Sequence, residues 1–171
     1  MPLPTVFISS TVDDLKEHRA QAAAAAQTCG FGVVMSEDFA ASGHETSLPA
    51  CLKKVESAEV VVVLVAHRYG WVPHVSENPD AKSITWLECE HASQGNKKKE
   101  VLAFLIDPNY AWPAESRENY RLTREGDLPD DEFIEIRKEV RRNEKNLGEF
   151  KKELGRYFCG FFKGTEASMV G

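Results

Sequence analysis

No run of apolar residues in this 171-residue chain approaches the roughly 18 that a membrane-spanning helix needs. The opening Met1-Pro2-Leu3-Pro4 also lacks the charged and apolar regions of a signal peptide. These two absences point to a cytoplasmic protein with no membrane partner. Positive charge is in deficit as well. With 27 acidic residues against 21 Lys and Arg, the net charge is −6, which opposes a nucleic-acid partner because neutralising phosphates takes a basic face. The one basic run, Lys97-Lys98-Lys99, reads as a solvated turn. Cysteine is sparse: Cys29, Cys51, Cys89 and Cys159 form neither a Cys-x-x-Cys pair nor a dense framework, so reduced, buried thiols are expected. Cys89 and His91 lie two apart on an expected helix and point to different faces, so no metal site is expected. Gly-x-Gly-x-x-Gly and P-loop signatures are missing too, which disfavours dinucleotide or triphosphate cradles of those kinds.

What the chain does have is an ordinary globular mixture, with 42% hydrophobic and 28% charged residues, at a length that suits one domain. Thr5 to Ser9 is a β-prone run that ends in Ser9-Ser10-Thr11. Val12, Leu15, Arg19, Ala22 and Ala26 then recur at helical spacing up to Gly30. Phe31 to Met35 reads as a second strand ending in Ser36-Glu37-Asp38. After a loop with Gly43, a helix carries Leu48, Cys51, Leu52, Val55 and Ala58, with Ser47 as candidate N-cap. Val60 to Ala66 is apolar throughout and mostly β-branched, as a strand covered on both faces should be.

A long loop from His67 to Lys82, a helix from Ser83 to Gln94 and a strand from Val101 to Ile106 follow. Residues 107–130 read as another long loop, and 131–155 as a charged helix with a break near Gly148. Tyr157 to Phe162 gives a fifth strand, and Thr165 to Ser168 the opening turn of a further helix. With no body for that helix, the chain reads as the N-terminal part of a longer protein. Strands alternating with helices predict a single α/β domain with an open five-stranded parallel sheet, flavodoxin-like order 2-1-3-4-5, and helices on both faces. Ligands bind such sheets at the carboxyl ends of the strands, beside the switch point between the first and third.

The polar segments that meet there supply the candidate site. Ser9, Ser10 and Thr11, opening a helix with Asp14 in its first turn, either receive an anion or cap the helix. Arg68-Tyr69-Gly70 after the central strand suits a phosphate clamp and a stacking ring, or simply covers the sheet end. Arg19 either reaches this site or pairs with Asp14 or Glu17 on its own helix. Ser83, Thr85, Trp86 and Glu88 open the next helix, and a carboxylate there can stabilise positive charge on a sugar ring or attack its anomeric carbon. Thr85-x-x-Glu88 also fits a capping box, which spacing alone favours. Trp86 suits packing better than stacking on a ligand.

Phe7-Ile8-Ser9-Ser10-Thr11-Val12-Asp13-Asp14-Leu15, then Arg19, Ala66-His67-Arg68-Tyr69-Gly70 and Ser83-Ile84-Thr85-Trp86-Leu87-Glu88 together resemble a TIR-like domain family of unknown function. That family sits at the N-terminus of STAND-type NTPases and bacterial defence proteins. The resemblance covers about residues 5–106; the tail from 107 matches poorly. It implies a TIR-like nucleotide glycohydrolase that cleaves the nicotinamide–ribose bond of NAD, with Glu88 as the catalytic carboxylate, NAD as substrate and no cofactor. Ser9 and Ser10 would lie beside the ligand, and Tyr69 and Trp86 near its rings. The resemblance equally allows a non-catalytic signalling module that self-associates and is covalently linked to an NTPase domain. Two positions depart from the usual TIR pattern: Thr85 stands where many carry a cysteine three residues before the glutamate, and Glu17-His18-Arg19 replaces a Glu-Arg pair.

Overall fold

The run Val60–Val65, β-branched except at Leu64, forms the centre of the sheet, with four of its six side chains buried and Val60 and Val62 partly so. A computed structural model describes residues 3–35 and 48–164 and gives the elements in the order β1 (Thr5–Ser10), α1 (Lys16–Thr28), β2 (Gly32–Met35), α2 (Leu48–Glu56), β3 (Val60–Val65), α3 (Ile84–Gln94), β4 (Glu100–Ile106), α4 (Asp130–Leu154) and β5 (Phe158–Phe162). All pairings are parallel and the order is β2-β1-β3-β4-β5, as expected. Phe7 lies opposite Val61, and Val61 opposite Val101, so three apolar side chains stack across the middle of one face.

Strand alternation divides the core in two. Phe7, Val61, Val63, Val65 and Ala103 pack against Val55 of α2, Cys89 and Ala92 of α3, and Leu147, Phe150 and Leu154 of α4. On the other face Val6, Ile8, Leu64, Ile106 and Phe162 pack against Leu15 and Ala23, with Trp112 from the segment after β4. The alanines of α1 favour helix and keep it close to the sheet. Gly30, at φ +85°, turns the chain out of it. Among the described residues no helix is long and apolar enough to cross a membrane.

Four expectations are corrected. Helix α1 starts at Lys16 with Leu15 as a cap lacking any side-chain bond, so neither Ser10 nor Thr11 caps it; both hydroxyls are engaged elsewhere. Helix α4 runs unbroken through Gly148, because Leu147 and Phe150 on either side are buried and offset the roughly 1 kcal/mol that a glycine costs. Its acids Asp130, Asp131 and Glu132 and its final Lys151 and Lys152 also sit with favourable sign at the two ends of the helix dipole. The stretch after β4 is not plain loop: it contains 3-10 segments at Ala114–Ser116 and Glu118–Asp127. Finally, the four cysteines are free, but only Cys51 and Cys89 are buried: Cys159 is half-buried and Cys29 is exposed, standing just past the end of α1 where the chain turns at the surface. The expectations for Ser36, Glu37, Asp38, Gly43, Ser47 and Thr165 to Ser168 lie outside the described residues.

Phe150 joins α4 to the rest of the fold: it is 1% exposed and stacks on Trp86 with ring centroids 5.2 Å apart and an interplanar angle of 16°. Phe150→Ala is expected to cost about 3–5 kcal/mol in urea unfolding, since it removes a fully buried ring that no neighbour can replace. A loss below about 1 kcal/mol would show that α4 contributes little to the core.

Candidate functional site

Adjacent side chains on a strand point to opposite faces, and β1 ends in two serines. Ser9 therefore looks toward α3 and Ser10 toward α1, and each meets an ionisable residue there. The Ser9 hydroxyl donates to Oε2 of Glu88 in a short buried hydrogen bond. On the opposite side Nη1 of Arg19 donates to Oγ of Ser10 at 2.7 Å and to its carbonyl at 3.3 Å. Arg19 is fully buried and Glu88 is 1% exposed. The end of β1 thus separates a buried cation from a buried carboxylate.

The placement of Glu88 follows from where α3 begins. Ser83 is the N-cap, its hydroxyl accepting from the amide of Trp86 at 3.4 Å, and the Leu87 amide donates to the Ser83 carbonyl at 3.0 Å. Thr85 is therefore already the second residue of the helix, and the capping box of Thr85 with Glu88 does not form. The carboxylate of Glu88 points toward β1 and α2 instead. Burial pushes its pKa up to about 7; the Ser9 hydrogen bond and the charges of Arg19 and Lys54 pull the other way but only partly offset burial. Its Oε1 is buried with no hydrogen-bond partner among the described residues. Cys51 of α2 is held up at about 11, first by its own burial and then by the charge of Glu88.

Several of the remaining candidates form a second group. Thr11, Arg68, Tyr69, Ser83 and Thr85 surround a cavity of about 10 Å³, closed by Leu147 and Phe150 of α4. That is room for about one water. Tyr69 ties the strand end to α3: its hydroxyl accepts from the Ser83 amide at 3.0 Å and donates to the Ala81 carbonyl at 3.1 Å. Asn146 of α4 reaches the same carbonyl at 3.3 Å and that of Asp80 at 3.2 Å. Ala81 takes φ 51°, the left-handed region, under this double grip. Thr11 donates to Asp14 at 2.5 Å; burial raises the Asp14 pKa, while that hydrogen bond and Arg68 oppose the rise. Trp86 stands apart from both groups, stacked on Phe150 with its indole N–H donating to Glu153 at 3.2 Å.

Glu118 is a buried carboxylate that the residue pattern does not single out. Its Oε2 accepts from the Tyr69 amide at 3.2 Å, and its Oε1 from Asn143 at 2.9 Å and Arg121 at 3.0 Å. Nothing in its charged neighbourhood, Arg117 to Arg121, distinguishes it beforehand from a solvated acid; only the fold after β4 buries it.

Fold and site together define the class: an open parallel α/β domain of flavodoxin-like strand order, with a buried carboxylate and a buried guanidinium at the carboxyl edge of its first strand. The chain belongs to the family described as domain of unknown function DUF4062, whose model matches residues 5–167. No curated protein matches it. Among solved structures it is similar to the TIR domains of the activated Roq1 resistosome directly recognizing the pathogen effector XopQ, with a TM-score of 0.47 and 13% identity over 92% of this chain and 86% of that one. A mutant flavo di-iron protein from Thermotoga maritima is similar at a TM-score of 0.37 and 18% identity, covering 88% of this chain and 35% of that one. At these scores neither likeness bears on function, and the fold class rests on the strand order and register.

Two outcomes follow. Glu88 binds its proton more tightly in the folded than in the unfolded chain, so its contribution is fully present below pH 4.5 and is lost as pH rises through about 7. Wild type should lose about 3 kcal/mol of stability across that window, and Glu88→Gln should abolish this component of the slope in urea unfolding run at successive pH values. An unchanged slope would contradict the assignment. Gly70, at φ +83°, would place an added Cβ 2.8 Å from Cγ2 of Thr11; Gly70→Ala should therefore destabilise by more than about 1 kcal/mol in the same measurement.

Proposed function

We propose that this domain is a TIR-like nucleotide glycohydrolase that cleaves the nicotinamide–ribose bond of NAD, with Glu88 as the catalytic carboxylate. One observation carries the reading: a carboxylate 1% exposed, held by Ser9 at the ligand-binding edge of the sheet, whose pKa near 7 puts its ionised and protonated forms within reach of neutral pH. Cleavage of this bond needs no acid, because nicotinamide departs with the bonding pair as a neutral ring. Positive charge then develops on the ribose, and an ionised Glu88 in a low-dielectric setting stabilises it or bonds transiently to the anomeric carbon. Water supplies the oxygen at that carbon and releases a proton, completing ADP-ribose. In this reading the domain acts in a cytoplasmic defence or signalling protein, self-associates to complete its site, and is linked to an NTPase domain.

Incubation of the concentrated protein with NAD, with nicotinamide quantified by chromatography, tests the chemistry. Glu88→Ala should lower kcat/KM by at least about 100-fold. The rate should rise from pH 6 to 8 as Glu88 ionises, and Ser9→Ala, by removing a hydrogen bond that favours the ionised form, should move that rise to higher pH. Absence of nicotinamide release, or release indifferent to Glu88→Ala, overturns the proposal.

A second reading is a non-catalytic interaction module, favoured by the filling of the crevice beside Thr85 by Leu147 and Phe150. It predicts concentration-dependent association in light scattering without turnover. A strictly monomeric protein that consumes NAD would exclude it.

A further inference from the structure

In a chain with a net charge of −6, three cations gather at the carboxyl end of β3 without a carboxylate partner for each. Arg68 follows β3 directly and donates from Nη2 to the Glu115 carbonyl at 2.8 Å, which fixes its guanidinium against the first 3-10 turn; its Nε is enclosed with no hydrogen-bond partner among the described residues. The Glu118 amide donates to the His67 carbonyl at 2.9 Å, and this bond brings the preceding residue, Arg117, to the same strand end. Arg117 has only long contacts, 3.4 and 3.5 Å, with the Trp112 carbonyl. Lys151 comes from α4, next to the Phe150 ring that closes the cavity lined by Thr11 and Arg68. None of the three forms an ion pair among the described residues.

The charges act on one another. Burial and then the charge of Arg117 lower the Lys151 pKa, while Asp14 opposes that shift. Burial, Lys151 and Arg117 together hold His67 down at about 4, so it is neutral and adds no charge. The carboxylate that faces the group is Asp14, which also faces Arg68; Glu118 nearby shares Arg121 with Glu139. Counted with Arg121, four cations stand against the three carboxylates of Asp14, Glu118 and Glu139, which leaves positive charge in excess. Gathering like charges in a partly buried place is unfavourable unless an anion joins them. Two guanidinium forks and an ammonium suit the oxygens of a phosphate or diphosphate, and the location is the edge of the sheet where such folds bind ligands.

We propose that Arg68, Arg117 and Lys151 form a receptor for the phosphate groups of a nucleotide, assembled by three elements distant in sequence. The choice of a nucleotide as the carrier of those phosphates rests on the glycohydrolase reading; the anion site stands on its own geometry. Because Lys151 lies on α4, the helix that closes the crevice itself contributes one of the three cations.

Isothermal titration of the full chain with pyrophosphate, ADP and adenosine, at low and high salt, tests this. Pyrophosphate and ADP should bind, more weakly as salt rises, and adenosine should not. Arg117→Gln and Lys151→Gln should each weaken ADP binding by roughly tenfold or more while circular dichroism and unliganded melting stay as in wild type, and Lys152→Gln on the exposed side of α4 should leave binding unchanged. Failure of both anions to bind, or binding indifferent to both substitutions, overturns the site. Pyrophosphate binding without ADP binding overturns the nucleotide assignment. In a Glu88→Ala background ADP binding should persist, so a protein that binds ADP through Arg117 and Lys151 yet releases no nicotinamide upholds this site and removes the glycohydrolase reading alone.

Discussion

The arrangement on which the rest depends is the burial of two opposite charges on either side of the end of one strand. Ser9 and Ser10 are neighbours in sequence, yet strand geometry sends one hydroxyl to Glu88 and the other to Arg19. Each serine therefore anchors a helix, α3 on one face and α1 on the other, to the same point of β1. Removing an arginine and a glutamate from water is expensive, and well-packed apolar side chains in their places would serve stability as well or better. The arrangement makes sense as a device that keeps a carboxylate dehydrated, oriented and close to neutral pH in its ionisation.

The sheet was legible because its strands obey simple rules. The run from Val60 to Val65 is apolar at each position, which only a strand covered twice tolerates, and the alternation of short apolar runs with helical spacing implies the parallel order. Helix boundaries were less accessible. The pattern Thr85-x-x-Glu88 imitates a capping box, but Ser83 takes the cap two residues earlier because Tyr69 grips its amide. Gly148 resembles a helix breaker, yet the burial of its neighbours Leu147 and Phe150 outweighs the local preference.

The site divides along the same line. Ser9 and Ser10 could be picked out as polar residues at the mouth of a parallel sheet, Arg19 only as the alternative to an ion pair on its own helix, and Glu88 by its family resemblance joined to its place in α3. Lys151, Arg117, Asn146 and Glu118 could not. They belong to a stretch so rich in charge that no single residue stands out, and their importance is created by a tertiary event, the return of α4 across the carboxyl edge of the sheet.

Helix α4 has 25 residues, about 37 Å of length, whereas β3 with 6 residues extends for about 20 Å. Its carboxyl half serves the core through Leu147, Phe150 and Leu154, while its amino half packs on the 3-10 segment Glu118–Asp127. The two halves consequently depend on different partners, the sheet core for one and the 3-10 segment for the other. The outer half, which contributes no residue to either core cluster before Leu147, is the one expected to open first, so amides from Asp130 toward Val140 should exchange with solvent on a shorter clock than those beyond Leu147.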